Sequence, residues 1–426
     1  MTMYYKKYLR LRYIYTISIL YCIFLSYKYS VQYLGDTLSY IAAWEILKEG
    51  QLDEWRTPVY PLILGIFKTL FGDTKYLQYV VLFQHFIFLI SIKYFHILSF
   101  SISRSGIISF FITSFYALFP CISTWNCYIL TEPIAISCTI FFLYSLLILY
   151  QKDSIKHWII IYLWLLFLVF LRPVFIYLLP ILFVGGSLFF IKKRKNSSKL
   201  ISSGLIGFAI ACIILISYIL CFKYNYGIYS LSGISTINKY WIARKAGAVS
   251  PMIHYDLNAQ ESTCKRIVYG GIDKPVDVFY EAEVAISVYG LKRFSDYVNY
   301  NIKNNRLLYL KRIMLNFTDA ANYKLFETSN KCCSILNSLS VNIISVYIML
   351  LIYIIVLMSL IIIKKIIPLF SCLAFMIGFS HLFIIIVGSP GDYSRLILPA
   401  IPVYLIMIGQ LICLFTTKKS NDAIFI

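Results

Sequence analysis

Long apolar runs dominate this 426-residue sequence. Several are about 20 residues long, the length of helix needed to cross the hydrocarbon of a bilayer. Hydrophobic residues make up 60% of the chain and charged residues only 14%, whereas soluble domains are about a quarter charged. The runs therefore predict an all-α polytopic membrane protein with about ten transmembrane helices. We expect these helices near residues 11–30, 77–98, 105–120, 132–150, 157–171, 173–191, 200–222, 340–363, 366–388 and 396–416.

The basic residues predict the orientation of this bundle. An even number of crossings places both termini on one side, and that side then collects the basic residues of the short connections, including the KKRK cluster at 192–195. By the positive-inside rule, that side is cytoplasmic. The net charge of +20 is thus explained by loops beside membrane lipids, and nucleic acid is not expected as a partner.

Two polar connections are then extracytoplasmic. Residues 31–76 form the first outer loop of an N-terminal transmembrane module, 1–222, and residues 223–339 form a larger outer segment between spans seven and eight. Residues 340–426 carry the C-terminal helices. Within the large segment, Val278–Asn316 has apolar residues at helical spacing with basic residues among them. This pattern fits amphipathic helices that lie at the membrane surface or cap the bundle, and equally a solvated small domain packed on its own core.

The first outer loop predicts two short amphipathic helices. The first runs from Asp36 to Glu49, with Asp36 and Tyr40 on one face, and the second starts at Pro58 and continues through Ile66. Arg56 lies just before the second helix. Two ordinary explanations stay open, because Asp36 fits an N-cap and Arg56 fits a side chain that snorkels to lipid phosphate.

Three further charged residues lie at outer ends of predicted spans. Glu132 fits the first turn of a helix capped by Thr131, where the helix dipole favours a carboxylate. Arg172 interrupts the run 158–191, which predicts a hairpin whose tip holds Arg172 at the outer surface. Arg395 precedes the last run, and either arginine alone fits a headgroup anchor. Together with the two charged residues of the first outer loop, these side chains can converge on one site.

Several motifs share their order and spacing with one known family. They are GDTLSYIAAWEILKEG followed by RTPVYPLILGIF, then LTEPIAI, LRPVFIYLLP and YSRLILPAIPVYLI. In these motifs, over residues 1–190 and 380–410, the chain resembles the GT-C glycosyltransferases. These multispanning enzymes take a sugar from a polyprenyl-phosphate donor, and they include the protein O-mannosyltransferases and the lipid A aminoarabinose transferase.

The resemblance implies roles for individual residues. Asp36 matches the family's acid in the first outer loop, the base that activates the acceptor hydroxyl, and Glu132 falls where relatives have a second acid. Thr37 stands where the mannosyltransferases have another acid, which argues against a protein acceptor. The residues expected to bind substrate are Arg56, Tyr40, Arg172, Tyr393 and Arg395, the last of them facing the lipid phosphate.

The predicted function is an integral membrane glycosyltransferase that moves a sugar from a polyprenyl-phosphate donor to a lipid-linked or surface glycan, or glycolipid, on the outer face of the cytoplasmic membrane. Such a transfer needs a base and cations but no general acid, since phosphate leaves readily. Glu132 then orients the acceptor, tunes Asp36 or holds a divalent ion, so metal dependence stays open and no other cofactor is expected. Two alternatives are a polysaccharide polymerase or ligase that uses a polyprenyl-diphosphate oligosaccharide, and a lipid-linked sugar flippase or other transporter.

Overall fold

The computed structural model describes residues 2–151, 154–192, 198–252, 278–322, 346–362, 369–389 and 393–416. Within these ranges the chain is helical, apart from turns, loops and an isolated parallel bridge between Gln32 and Tyr128. The first α-helices in chain order are α1 (Thr2–Tyr29), α2 (Gly35–Lys48), α3 (Val59–Phe71), α4 (Tyr76–Ser103), α5 (Gly106–Leu118), α6 (Pro120–Ser123), α7 (Glu132–Gln151), α8 (Ile155–Leu171), α9 (Leu178–Lys192) and α10 (Ser198–Tyr226). They are followed by α11 (Ile234–Lys245), α12 (Val278–Tyr289), α13 (Leu291–Asn304), α14 (Arg306–Asn322), α15 (Val346–Ile362), α16 (Leu369–Gly388), α17 (Tyr393–Leu396) and α18 (Ile401–Thr416).

The apolar runs form helices where the sequence predicts them. In the described part of the chain, four helices are long and apolar enough to cross a membrane, namely Tyr76–Ser103, Glu132–Gln151, Gly204–Tyr226 and Phe370–Gly388. Shorter apolar helices occupy Val59–Phe71, Gly106–Leu118, Ile155–Leu171, Pro173–Gly186 and Leu398–Cys413. The architecture is that of a helical membrane protein, and the figure of ten crossings stays a prediction.

Helices α4 and α7 form the centre of the bundle. Helix α4 packs against α1, α3, α5, α7 and α18. Helix α7 is apolar on all sides, as expected for a helix surrounded by others, and the consecutive residues Ile134, Ala135 and Ile136 are all buried. The first residue of α7 is Glu132, so this packing buries a carboxylate at one end of the bundle.

The loop between α1 and α4 folds into the two short helices that the sequence predicts. Helix α2 is followed by Gly50, which adopts a left-handed φ of 79°, and α3 extends five residues beyond the predicted end at Ile66. The two helices pack closely because Gly65 leaves room for the Trp44 ring. A Cβ atom at residue 65 would lie 2.2 Å from that ring.

Helices α11 to α13 and the end of α10 enclose a second hydrophobic core. Its buried members are Phe222, Ile237, Tyr240, Ala243, Ala248, Val249, Ala282, Ala285, Ile286, Leu291, Phe294 and Val298. The first part of Val278–Asn316, up to Val298, contributes to this core, whereas Leu307 and Met314 on α14 are exposed, so both explanations of the stretch stay open. The helical module around this core also contacts the loop before α3, since the Gly233 amide donates to the Glu54 carbonyl at 2.7 Å and the Tyr226 hydroxyl donates to the Leu52 carbonyl.

Candidate functional site

Five charged side chains from separate segments meet at one end of the bundle. They come from the start of α2, the loop before α3, the start of α7, the residue after α8 and the short helix α17. We call this group the ion-pair network, and its members are Asp36, Arg56, Glu132, Arg172 and Arg395. The sequence predicts each of them as a site residue, and the structure brings all five into one continuous chain of contacts.

Asp36 is held by two guanidiniums. Its Oδ1 atom lies 2.7 Å from Nη2 of Arg56, and its Oδ2 atom lies 2.7 Å from Nη2 of Arg395. Burial raises the pKa of the Asp36 carboxyl, but the charges and hydrogen bonds of the two arginines outweigh burial and lower the pKa to about 2. In this state Asp36 is ionised, is engaged through both oxygens and is a weak base.

The N-cap explanation of Asp36 is wrong. Leu34 occupies the N-cap of α2, and its amide donates to the Thr37 hydroxyl at 3.0 Å. The same hydroxyl donates to the Ile129 carbonyl at 3.2 Å, which fixes the start of α2 against the segment before α7. Because Thr37 occupies the helix start in this way, the Asp36 carboxylate is directed to the arginines instead.

Arg56 does not extend toward lipid, so the snorkelling explanation is also wrong. Its side chain is only 10% exposed, and its guanidinium carbon lies 4.3 Å from the centre of the Tyr40 ring. Its Nε donates to the Ser39 hydroxyl at 2.8 Å. The preceding loop is fixed by Asp53, whose Oδ1 accepts from the amides of Trp55 at 2.8 Å and Arg56 at 2.5 Å. Arg56 is therefore rigidly placed, and Tyr40 supports it.

Glu132 is the most buried member of the network. Its side chain is 3% exposed, and its Oε1 atom lies 3.2 Å from Nε of Arg395 and 3.4 Å from Nη1 of Arg172. Its other oxygen accepts from the Thr131 hydroxyl at 3.3 Å. Glu132 occupies the first turn of α7 as predicted, but its carboxylate also joins two arginines.

Arg172 is buried, which corrects the prediction that it lies at the surface of a hairpin tip. The residue is 8% exposed. It takes an extended backbone with φ of −148° between α8 and the 3₁₀-helix Pro173–Tyr177, so its side chain turns inward toward Glu132. Its buried Nη1 atom makes no hydrogen bond to any of the described residues. Because Nη1 is also the atom that lies 3.4 Å from Oε1 of Glu132, it forms an ion pair there without hydrogen-bond geometry, a contact that an anion can replace.

Arg395 is positioned by two residues for which the sequence suggests no role. Nε2 of His381 and the carbonyl of Leu396 are 3.1 Å apart, and Nδ1 of His381 lies 3.1 Å from the Tyr177 hydroxyl. The Leu396 carbonyl can only accept, so Nε2 is the donor in that contact, and the Tyr177 hydroxyl is the partner of Nδ1. The pair joins the segment after Arg172 to the turn that carries Arg395. Tyr393 begins α17, but its side chain lies outside the described residues.

The network carries more positive than negative charge. Within the described side chains it comprises the guanidiniums of Arg56, Arg172 and Arg395 and the carboxylates of Asp36 and Glu132, a net charge of +1. In the same ranges, no group of three or more histidine, cysteine or acidic residues is placed to hold a metal ion. The two carboxylates that could coordinate a divalent ion are paired with arginines instead. This donor set fits an anion better than a resident cation.

The fold and the network define a helical membrane protein with a buried arginine–carboxylate site at one end of its bundle. No protein-family model matches the chain, and no curated protein matches it. The resemblance drawn from the sequence motifs therefore stays a prediction.

Proposed function

We propose that this protein is a membrane glycosyltransferase that moves a sugar from a polyprenyl-phosphate donor to a lipid-linked or surface glycan. The observation that carries the proposal is the continuous network Arg56–Asp36–Arg395–Glu132–Arg172. It supplies a carboxylate for the acceptor hydroxyl and an excess of guanidiniums for a phosphate, the two groups that this reaction requires.

In the proposed reaction, Asp36 accepts the proton of the acceptor hydroxyl. The hydroxyl oxygen forms a bond to the anomeric carbon of the sugar, and the bond from that carbon to the phosphate oxygen breaks. The electron pair leaves with the phosphate, whose charge Arg395 and Arg172 neutralise. Glu132 lies between these arginines and orients them. Because phosphate is a good leaving group, the reaction does not need the second, protonated carboxyl that glycoside hydrolysis uses.

The proposal includes an orientation, with the ion-pair network on the extracytoplasmic side. The first outer loop and the segment after α10 offer exposed positions for cysteine labelling at Gln51 and at Tyr229, which is 66% exposed. Lys156, exposed at the opposite end of the bundle, is the matched control. In a background without native cysteines, we expect a membrane-impermeant maleimide to label Gln51→Cys and Tyr229→Cys in intact cells. It should label Lys156→Cys only after permeabilisation, and the reverse pattern would refute the orientation.

The function is tested by mass spectrometry of surface glycans and glycolipids from a strain that lacks the gene. We expect one sugar to be missing from one class of glycan and the corresponding polyprenyl-phosphate sugar to accumulate. Wild-type protein should restore the glycan, and Asp36→Asn at equal expression should not. Accumulation of a polyprenyl-diphosphate oligosaccharide would indicate the polymerase or ligase instead. Unchanged glycans in the deletion strain would refute the proposal.

A further inference from the structure

The position of Asp36 conflicts with its role as a base. A base must present an oxygen to the acceptor hydroxyl, but Oδ1 of Asp36 is bound to Arg56 and Oδ2 to Arg395, each at 2.7 Å. With its pKa held at about 2, the carboxylate also has little tendency to take a proton. Transfer therefore requires that one arginine first leaves Asp36.

The two arginines differ in what lies around them. Arg56 lies against the Tyr40 ring, donates to Ser39 and follows a loop that Asp53 fixes. Arg395 stands on the four-residue helix α17 and contacts both carboxylates of the network. It is also the arginine that shares Glu132 with Arg172, whose buried Nη1 makes no hydrogen bond to the described residues. Arg395 therefore lies between Asp36 and the Arg172 side of the network, where a phosphate that contacts Arg172 also meets Arg395.

We propose that the donor phosphate takes Arg395 from Asp36, so that the donor must bind before the acceptor can react. The inference rests on the proposed function. Phosphate oxygens accept from the guanidinium fork as carboxylate oxygens do, and Arg172 supplies a second donor nearby. After this exchange, Arg56 still holds Oδ1, while Oδ2 is free to take the acceptor proton. Binding of the donor phosphate thereby frees Asp36 to act as the base. Without the donor, both oxygens of Asp36 stay bound to arginines.

This exchange of Arg395 between Asp36 and phosphate predicts a result that would not be expected if Asp36 only helped to bind the substrate. If the Asp36 carboxylate competes with phosphate for Arg395, its removal strengthens phosphate binding while it slows transfer. We expect Asp36→Asn to bind farnesyl phosphate about tenfold more tightly than wild type, the size expected when one charged hydrogen bond no longer competes. The measurement is a titration of farnesyl phosphate into protein in phosphatidylcholine nanodiscs. Asp36→Ser, a second neutral variant, should show the same gain.

Control variants and a second lipid composition test whether the gain in binding depends on Arg395. Adding Arg395→Gln to Asp36→Asn should remove the gain, and Glu281→Gln, in the separate helical module, should bind like wild type. Equal or weaker binding by both neutral Asp36 variants, in monodisperse protein, would overturn the exchange. The titration is repeated in phosphatidylglycerol nanodiscs. Loss of farnesyl phosphate binding there would show that ordinary anionic headgroups occupy the site, and this result would also overturn the exchange. The titration does not measure sugar transfer, so it tests the exchange alone. If the gain in binding is found but wild-type protein transfers no sugar in a separate assay, the proposed function is refuted and the exchange is not.

Discussion

Two buried acid–arginine groups in this protein look alike locally but differ in their surroundings. In the ion-pair network, Oε1 of Glu132 lies 3.2 Å from Arg395, and in the helical module Oε2 of Glu281 lies 3.3 Å from Arg244. Both glutamates have side chains that are 3% exposed. The second group, which we call the Glu281 cluster, is completed by the Tyr240 hydroxyl, which donates to Glu281.

The difference lies in charge balance and assembly. The Glu281 cluster pairs one arginine with one carboxylate, lies in the second core, and joins residues 37 and 41 positions apart in sequence. Its arginine also donates to the Val249 carbonyl at 3.4 Å. The ion-pair network draws on distant segments and retains an excess guanidinium. Burial of a charge pair alone therefore does not distinguish the two groups, and the proposal rests on the three guanidiniums and two carboxylates that separate segments bring together.

The largest expected contrast is in transfer activity. Asp36→Asn keeps the size of the side chain but removes its basicity, so we expect turnover to fall about 10²-fold or more. Glu281→Gln, the matched amide substitution in the Glu281 cluster, should leave turnover per folded molecule unchanged. Turnover of both variants is measured with protein in nanodiscs of fixed lipid composition. Equal losses in the two variants would erase the distinction between the groups.

Arginine-to-lysine substitutions should have the next largest effect, a fall in kcat/KM for the ion-pair network but not for the Glu281 cluster. Lysine keeps the charge but lacks the planar fork that lets Arg395 reach both carboxylates and lets Arg56 lie on Tyr40. We expect Arg395→Lys and Arg56→Lys to lower kcat/KM by an amount worth about 1–3 kcal/mol, and Arg244→Lys to leave it unchanged. Steady-state kinetics with varied donor concentration tests this. Wild-type kinetics for Arg395→Lys would remove that residue from the site.

Variants of the two groups should differ in how farnesyl phosphate changes their thermal stability. Glu281→Gln weakens the contacts of the partly exposed Arg244, so we expect a loss of about 1–3 kcal/mol. Glu132→Gln leaves three guanidiniums, that of Arg172 buried, with one carboxylate and should also be destabilising. Farnesyl phosphate should raise the melting temperature of Glu132→Gln more than that of wild type, and should not raise that of Glu281→Gln beyond wild type. Equal shifts in all three proteins would contradict an anion site in the network.

The smallest expected effect is on the pH dependence of stability, in the loop before α3. Burial and the neighbouring Asp53 raise the pKa of the half-buried Glu54 to about 7, above its value of 4.5 in the unfolded chain. Its contribution to stability is therefore lost as pH rises from about 4.5 through about 7. Asp36 has the opposite shift, and its contribution is lost only as pH falls from 3.8 through about 2.

Between pH 5 and pH 8, only Glu54 of these two carboxyls titrates. We expect Glu54→Gln to stabilise the protein at pH 8 by less than about 1 kcal/mol, since solvent screens a half-exposed group, and to have little effect at pH 5. Asp36→Asn should change stability by the same amount at both values. Melting temperatures at pH 5 and pH 8 measure these changes. If Glu54→Gln changes the melting temperature equally at both pH values, the raised pKa of Glu54 is contradicted.

The sequence predicts the elements of this fold better than the contacts between them. Apolar runs of fixed length predict the helices, and the family-like motifs point to Asp36, Arg56, Glu132, Arg172 and Arg395. What local sequence does not contain is long-range pairing. The Thr37 bond to Ile129, which displaces the N-cap explanation of Asp36, joins residues 92 positions apart, and the bond between Tyr177 and His381 joins residues 204 positions apart.

The inward turn of Arg172 has the same origin. A charge beside a proline in an apolar run fits an exposed hairpin tip equally well, and only the partner carboxylate on α7 decides between the two placements. In each of these cases the deciding interaction comes from another helix, which periodicity within one segment cannot show.

Mass spectrometry of the lipid products made by the purified protein tests the proposed transfer reaction directly. Wild-type protein and Arg395→Ala are incubated in nanodiscs with the polyprenyl-phosphate sugars and acceptor lipids extracted from the source cells. We expect wild type to convert a polyprenyl-phosphate sugar to polyprenyl phosphate and a glycosylated acceptor, and Arg395→Ala to form neither at a comparable rate. A polyprenyl-diphosphate product, equal conversion by both proteins, or no conversion by folded wild type would contradict the proposed reaction.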